Sequence, residues 1–81
     1  MNKEITGEEA RANQRIRILA YIDQHGAITQ KEADRELDIM RLSARIFEIR
    51  TKLGIDISSI WITGVNRFGE RTRYVMYKKA V

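Results

Sequence analysis

Apolar residues recur at helical spacing along the first part of the chain. Ala12, Ile16, Leu19 and Ile22 lie three and four residues apart, and Ile18 and Tyr21 widen the same stripe. That spacing predicts an amphipathic helix over residues 8–25. Gly26 follows as a stop, and His25 stands in the last turn, where a cation complements the helix dipole. A short extended link at Ala27 and Ile28 leads into Thr29-Gln30-Lys31-Glu32, which has the form of a capping box. It opens a second helix over residues 30–37, with Ala33 and Leu37 facing inward. Asp38, Ile39 and Met40 interrupt the period. A third helix follows over residues 41–53, with Leu42, Ile46, Ile49 and Leu53 as its inner stripe, Phe47 beside it and Gly54 closing it.

The pattern then changes. Residues 57–63 and 72–78 are rich in β-branched and aromatic side chains. They predict two strands joined by a turn-rich tip over residues 64–71, which holds Gly64 and Gly69. Ile60 and Ile62 compete with Ile57 and Trp61 for the inward face, so the strand register stays open. Residues 1–7 read as a flexible polar leader and residues 8–81 as a single domain. The order of three helices followed by a β-hairpin is an α+β winged helix-turn-helix. The link at Ile28 can add a third short strand.

Composition narrows the function. An 81-residue chain fits one small domain with a thin core and little room for an enclosed active site. The absence of cysteine removes thiolate nucleophiles, disulfides and thiolate metal sites. The lone His25 has no nucleophile or carboxylate at a catalytic spacing. The expectation is therefore a non-enzyme with no cofactor and no metal. No apolar run is long enough to span a membrane, and the acidic start (Glu4, Glu8, Glu9) is unlike a signal peptide, so a cytoplasmic location is expected.

The charge distribution says more than its total of +4. Residues 1–40 hold six basic and eight acidic side chains, a net −2, whereas residues 41–81 hold nine basic and three acidic, a net +6. Such segregation suits a polyanion partner. With the inner stripe of the third helix turned to the core, Arg41, Ala44, Arg45, Glu48 and Lys52 point outward and Ser43 lies at the margin. Arg41 and Arg45 share a face in the half of the helix that reaches base edges, where arginine can bond guanine through two donors. Ser43 and Ala44 are small enough to admit the backbone to the major groove, and Glu48 can accept from cytosine. Arg50, nearer the C-terminal end, reads as a brace that pairs with an acid such as Glu36 or Glu48, and Arg45 fits either such a brace or a DNA contact. On the hairpin tip, Asn66, Arg67 and Arg71, with Arg73 behind them, can lie along phosphates or in the minor groove. These ten residues (Arg41, Ser43, Ala44, Arg45, Glu48, Lys52, Asn66, Arg67, Arg71, Arg73) form the candidate DNA-binding set.

From about Arg15 to Lys79 the chain resembles a family of small helix-turn-helix domains common in bacteriophages and prophages. The likeness is carried by Gly26-Ala27-Ile28-Thr29, by Arg41-Leu42-Ser43-Ala44-Arg45-Ile46, and by Asn66-Arg67 with Gly69. The resemblance implies a winged-helix fold and double-stranded DNA binding in a bacterial host cytoplasm, as a regulator or as an accessory to recombination or packaging. It implies no cofactor. The chain departs from it at Asp38, where such turns usually have glycine, and at Met40, where they tend to have a Ser or Thr N-cap. Two further partners are compatible with the sequence. A homodimer could form through the polar start of the first helix, and a host or phage protein could be bound if the domain serves instead as an inhibitory interaction module. Exposure of Met40, Trp61 and Phe68 together would favour the latter.

Overall fold

The computed structural model describes residues 5–80. Three helices, α1 (Gly7–His25), α2 (Gln30–Leu37) and α3 (Leu42–Lys52), precede the long strands β2 (Ile57–Val65) and β3 (Arg71–Lys79), and a two-residue strand β1 (Ile28–Thr29) lies between α1 and α2. The sheet is antiparallel with order β1-β3-β2. The architecture is that of the expected winged helix-turn-helix, with the link at Ile28 supplying the third strand. Of the leader expected over residues 1–7, residues 1–4 lie outside the described part. Thr6 caps α1 by accepting from the Glu9 N–H, and Gly7 is already helical.

The core gathers one or more residues from nearly every element: Ile18 and Ile22, Ile28, Ala33, Ile39, then Leu42, Ile46 and Ile49, and Ile57. Two sequence expectations shift. Ile16 is exposed, and the buried stripe of α1 runs instead through Arg15, Ile18 and Ile22. The two candidate stripes are rotated from each other on the helix, and only the position of α3 selects between them. Leu53 is about half exposed because α3 ends one residue earlier. Gly54, at φ 65°, turns the chain so that the Ile55 N–H reaches the Ile49 carbonyl at 3.3 Å. Ile55 then packs on the core in place of Leu53.

The turn between α2 and α3 fixes the angle of α3. The capping box forms at Thr29 and Glu32. At the other end of α2, Asp38 adopts the left-handed conformation, φ 58° and ψ 40°, which lets the Ile39 N–H bond the Ala33 carbonyl at 2.9 Å. An L-residue with a Cβ is disfavoured there relative to glycine. Asp38→Gly is therefore expected to raise stability by about 0.5–1 kcal/mol, read as a higher urea midpoint. An unchanged or lower midpoint would show that Asp38 is at ease in this conformation.

Arg41, not Met40, is the N-cap of α3, and it makes no side-chain cap bond. Gln30 takes over that task from α2. Its Oε1 accepts from the Leu42 N–H at 2.9 Å, and its Nε2 donates to the Ile39 carbonyl at 2.9 Å. One side chain thus ties both ends of the turn. Gln30→Leu leaves a donor and an acceptor unpaired and is expected to cost about 1–3 kcal/mol. Equal thermal midpoints for variant and wild type would contradict that role.

Candidate nucleic-acid interface

The surface of α3 is divided by α1. Arg45 and Glu48, placed on the outward side by periodicity, have side chains only 14% and 16% exposed, and of the two readings of Arg45 the pairing with Glu48 is the one formed. Glu48 sits between two arginines. Its Oε1 accepts from Nη1 of Arg15 at 2.6 Å, and its Oε2 lies 3.1 Å from Nη2 of Arg45. The Arg15 side chain is 9% exposed. The first half of α1 covers this flank of α3, so its charges face a neighbouring helix. Ala44 is half-buried on the same side. Arg45 Nε is buried without a hydrogen-bond partner among the described residues. Farther along, Glu8 lies 3.6 Å from Arg15 and 3.9 Å from Lys52, and it bonds Arg11 at 3.0 Å. The hydrogen bond from Arg11, followed by the charge of Lys52, holds the Glu8 carboxyl below the usual carboxylate range. Lys52 is exposed but stands beside this acid.

The open flank of α3 carries Ser43, Phe47, Arg50 and Thr51, all exposed. Phe47 was expected to border the core, yet it is 63% exposed. Arg41 is exposed at the helix start with no carboxylate within ion-pair distance among the described residues. Arg50 is a brace, as its place near the C-terminal end suggested, though its partner is backbone and not an acid. Its Nε and Nη2 donate to the Ile57 carbonyl at 3.0 and 2.6 Å, and Nη2 also donates to Ser59 Oγ. The bond fixes the base of the hairpin to α3 and so sets where the wing points.

The wing is longer in strand and shorter in turn than expected. Pairing continues through Gly64↔Thr72 and Val65↔Arg71, which leaves Arg67, Phe68 and Gly69 as a three-residue tip. Asn66 organises it. The Asn66 N–H donates to the Glu70 carbonyl, Asn66 Oδ1 accepts from the Phe68 and Glu70 N–H groups, and its Nδ2 donates to the Glu70 carboxylate. Gly69, at φ 80°, supplies the left-handed residue that such a turn requires. Asn66 is thereby committed to shaping the turn, and it also engages the tip's one acid. Arg67 and Arg71 remain exposed, Arg67 over the Phe68 ring at 5.6 Å and Arg73 over Trp61 at 4.9 Å.

A cleft runs between the helix-turn-helix and the wing. Gln30, Ser43, Trp61, Val65, Asn66 and Tyr77 all line it. Ser43 of α3 and Asn66 of the wing thus face one cleft, whose charged lining is Lys31, Glu32 and Arg35 of α2, whereas Arg41, Arg67, Arg71 and Arg73 are exposed outside that lining. The structure sets Arg45 and Glu48 apart in the α1–α3 seam. Sequence reasoning missed Gln30, Phe47 and Trp61 as cleft or groove-facing residues. Phe47 is exposed because α1 covers the other flank of α3, and one signal of that was present: a basic Arg15 in the register of Ile18 and Ile22 requires an acid opposite it.

A family model described as a winged helix-turn-helix domain matches residues 13–79, a span that takes in both helices of the turn and the whole hairpin. Neither the search of curated proteins nor that of solved structures finds a match. By the extent of that match, and by three helices closed with an antiparallel three-stranded sheet, the chain belongs to the winged helix-turn-helix domain family.

Proposed function

We propose that this protein binds double-stranded DNA with a sequence preference, inserting the exposed flank of α3 into the major groove and laying the wing on the adjacent backbone or minor groove. The observation that carries this is the sorting of charge. Arg41, Arg67 and Arg71 are exposed and free of carboxylates among the described residues, whereas Glu8, Glu48 and Glu70 are each engaged by neighbouring side chains. These three arginines thus present cations with no acidic partner among the described residues, which suits a polyanion. Arg41 and Ser43 are the residues placed to read base edges, with Phe47 positioned for a thymine methyl. Arg67, Arg71 and Arg73 serve the phosphates, and Lys52 does so at the margin. Arg45, Ala44, Glu48 and Asn66 support this surface from behind. The resemblance to phage and prophage domains favours a regulator or a recombination or packaging accessory acting in the bacterial cytoplasm. The test is binding to random-sequence duplex DNA across a salt series, with an Arg41→Ala/Arg67→Ala/Arg71→Ala variant alongside.

One observation favours a second reading. Met40, Trp61 and Phe68 are all strongly exposed, at 79%, 62% and 77%, which suits a phage-encoded protein-interaction module that inhibits a host or defence complex. Folded protein that ignores duplex DNA even at low salt would select that reading.

A further inference from the structure

Among the described residues, β2 is one of the two edge strands of its sheet, and the longer. Nothing pairs with its outer side. It is long, Ile57–Val65, and carries no charged residue and no proline. Natural edge strands are usually blunted by charge, proline or a bulge, because an open edge recruits another strand. The phase of hydrogen bonding is fixed by the Asn66–Glu70 and Ala80–Asp56 backbone bonds. In an antiparallel ladder bonded pairs alternate, so the even residues of β2 bond β3. The N–H and C=O groups of Ile57, Ser59, Trp61, Thr63 and Val65 point to the free edge.

The strand is also chemically symmetric about Trp61. Reading outward from it, Ile60 matches Ile62, Ser59 matches Thr63, Ser58 matches Gly64, and Ile57 matches Val65. We infer that the free edge of β2 is a self-association surface, and that two copies of this chain pair β2 to β2, antiparallel, about a two-fold axis at Trp61. In that register every outward backbone group meets an outward group of the partner. An isologous contact of this kind needs a self-complementary patch, and β2 is one. Ile60 of each copy lies opposite the partner's Ile62. These four side chains lie on the sheet face turned away from the core, where Tyr74 and Met76 stand opposite Ile62 and Ile60 within each chain. Asp56 falls opposite the partner's Asn66, beside the partner's Arg67, so the ends of the contact are complementary in charge. The neutral strand lets two chains of net charge +4 approach.

The axis is normal to the sheet, so both α3 helices lie on the same side of a continuous six-stranded sheet. The two Ile57 positions, which adjoin α3 through Arg50, are then roughly 26 Å apart at about 3.3 Å per residue. That separation is of the order of one turn of duplex, about 34 Å between half-sites. The dimer does not depend on the DNA-binding proposal, and it is tested without DNA, so either can fail alone.

Sedimentation of the full chain is expected to give twice the 9.5 kDa chain mass as concentration rises, and Ile62→Lys to give the monomer with a cooperative thermal melt retained. A second measurement does not depend on that variant folding. The chain has no cysteine, so single substitutions report proximity cleanly. Trp61→Cys lies at the axis with Cα atoms about 5.5 Å apart, inside the range a disulfide accepts, and is expected to cross-link under mild oxidation. Ser59→Cys, about 13 Å from its counterpart, is not. A wild type that stays monomeric at all concentrations overturns the inference. So does a dimer that survives Ile62→Lys, or one in which Ser59→Cys cross-links as readily as Trp61→Cys.

Discussion

Glu48→Ala is expected to lower stability by about 3–5 kcal/mol, the usual cost of removing one partner from a buried ionic cluster. The carboxylate is the shared partner of Arg15 and Arg45, at 2.6 and 3.1 Å. Without it, Arg15 keeps only Glu8 at 3.6 Å, an exposed acid, and Arg45, whose Nε already lacks a partner, loses its ion pair. The two guanidinium groups are then left near one another in a seam that water enters poorly. A domain of this size has roughly 4–12 kcal/mol in total, so the loss is a large share of the whole. At about 4–8 °C per kcal/mol for a domain of 60–100 residues, the melting temperature should fall by at least about 12 °C. Glu48→Gln, which keeps an acceptor but not the charge, should fall between that variant and the wild type. Replacing all three groups together with apolar residues of similar size should restore much of the loss, because no charge is then left uncompensated. A melting temperature for Glu48→Ala within about 2 °C of wild type would mean that Glu48 is in effect a solvated acid, available to read a base after all.

Duplex DNA binding by Arg41→Ala/Arg67→Ala/Arg71→Ala should show the converse, with large loss of affinity and an unchanged melt. All three side chains are exposed, and none lies within ion-pair distance of a carboxylate among the described residues. Each phosphate neutralised contributes about 0.9 to the slope of log affinity against log salt, so three contacts amount to about 2.7. At about 0.1 M salt that term corresponds to an upper bound of roughly 500-fold in affinity. If Arg41 bonds a base edge instead, the slope falls by about 1.8 and the affinity loss from Arg41→Ala varies with sequence. An equal slope for variant and wild type would remove the wing and the start of α3 from the interface. The contrast with Glu48→Ala separates support from contact, since one changes folding and the other changes salt dependence.

Much of this molecule follows from local pattern. The capping box at Thr29 and Glu32, the stops at Gly26 and Gly54, and the change of period after residue 54 each report a local backbone preference. Together they set the order of three helices and a hairpin, and with it the family. The basic wing was legible for the same reason, because a turn between two strands projects whatever charge it carries. What sequence left open depends on neighbours distant along the chain. Ile16 and Ile18 both fit an apolar stripe on α1, and only docking against α3 exposes the first and buries the second. Arg45 and Glu48 lie off the apolar stripe, so periodicity turned them toward solvent, and it is the covering by α1 that makes them a buried pair with Arg15. The side-chain alternation of β2 suited either face, and only the docking of the sheet against the helices buries Ile57 and leaves Ile60 and Ile62 half-buried on the opposite face. Sequence by itself determined the elements and their charge, because those follow from residues within a turn or two of each other. Tertiary structure decided which flank of α3 is free, because that depends on which surfaces meet.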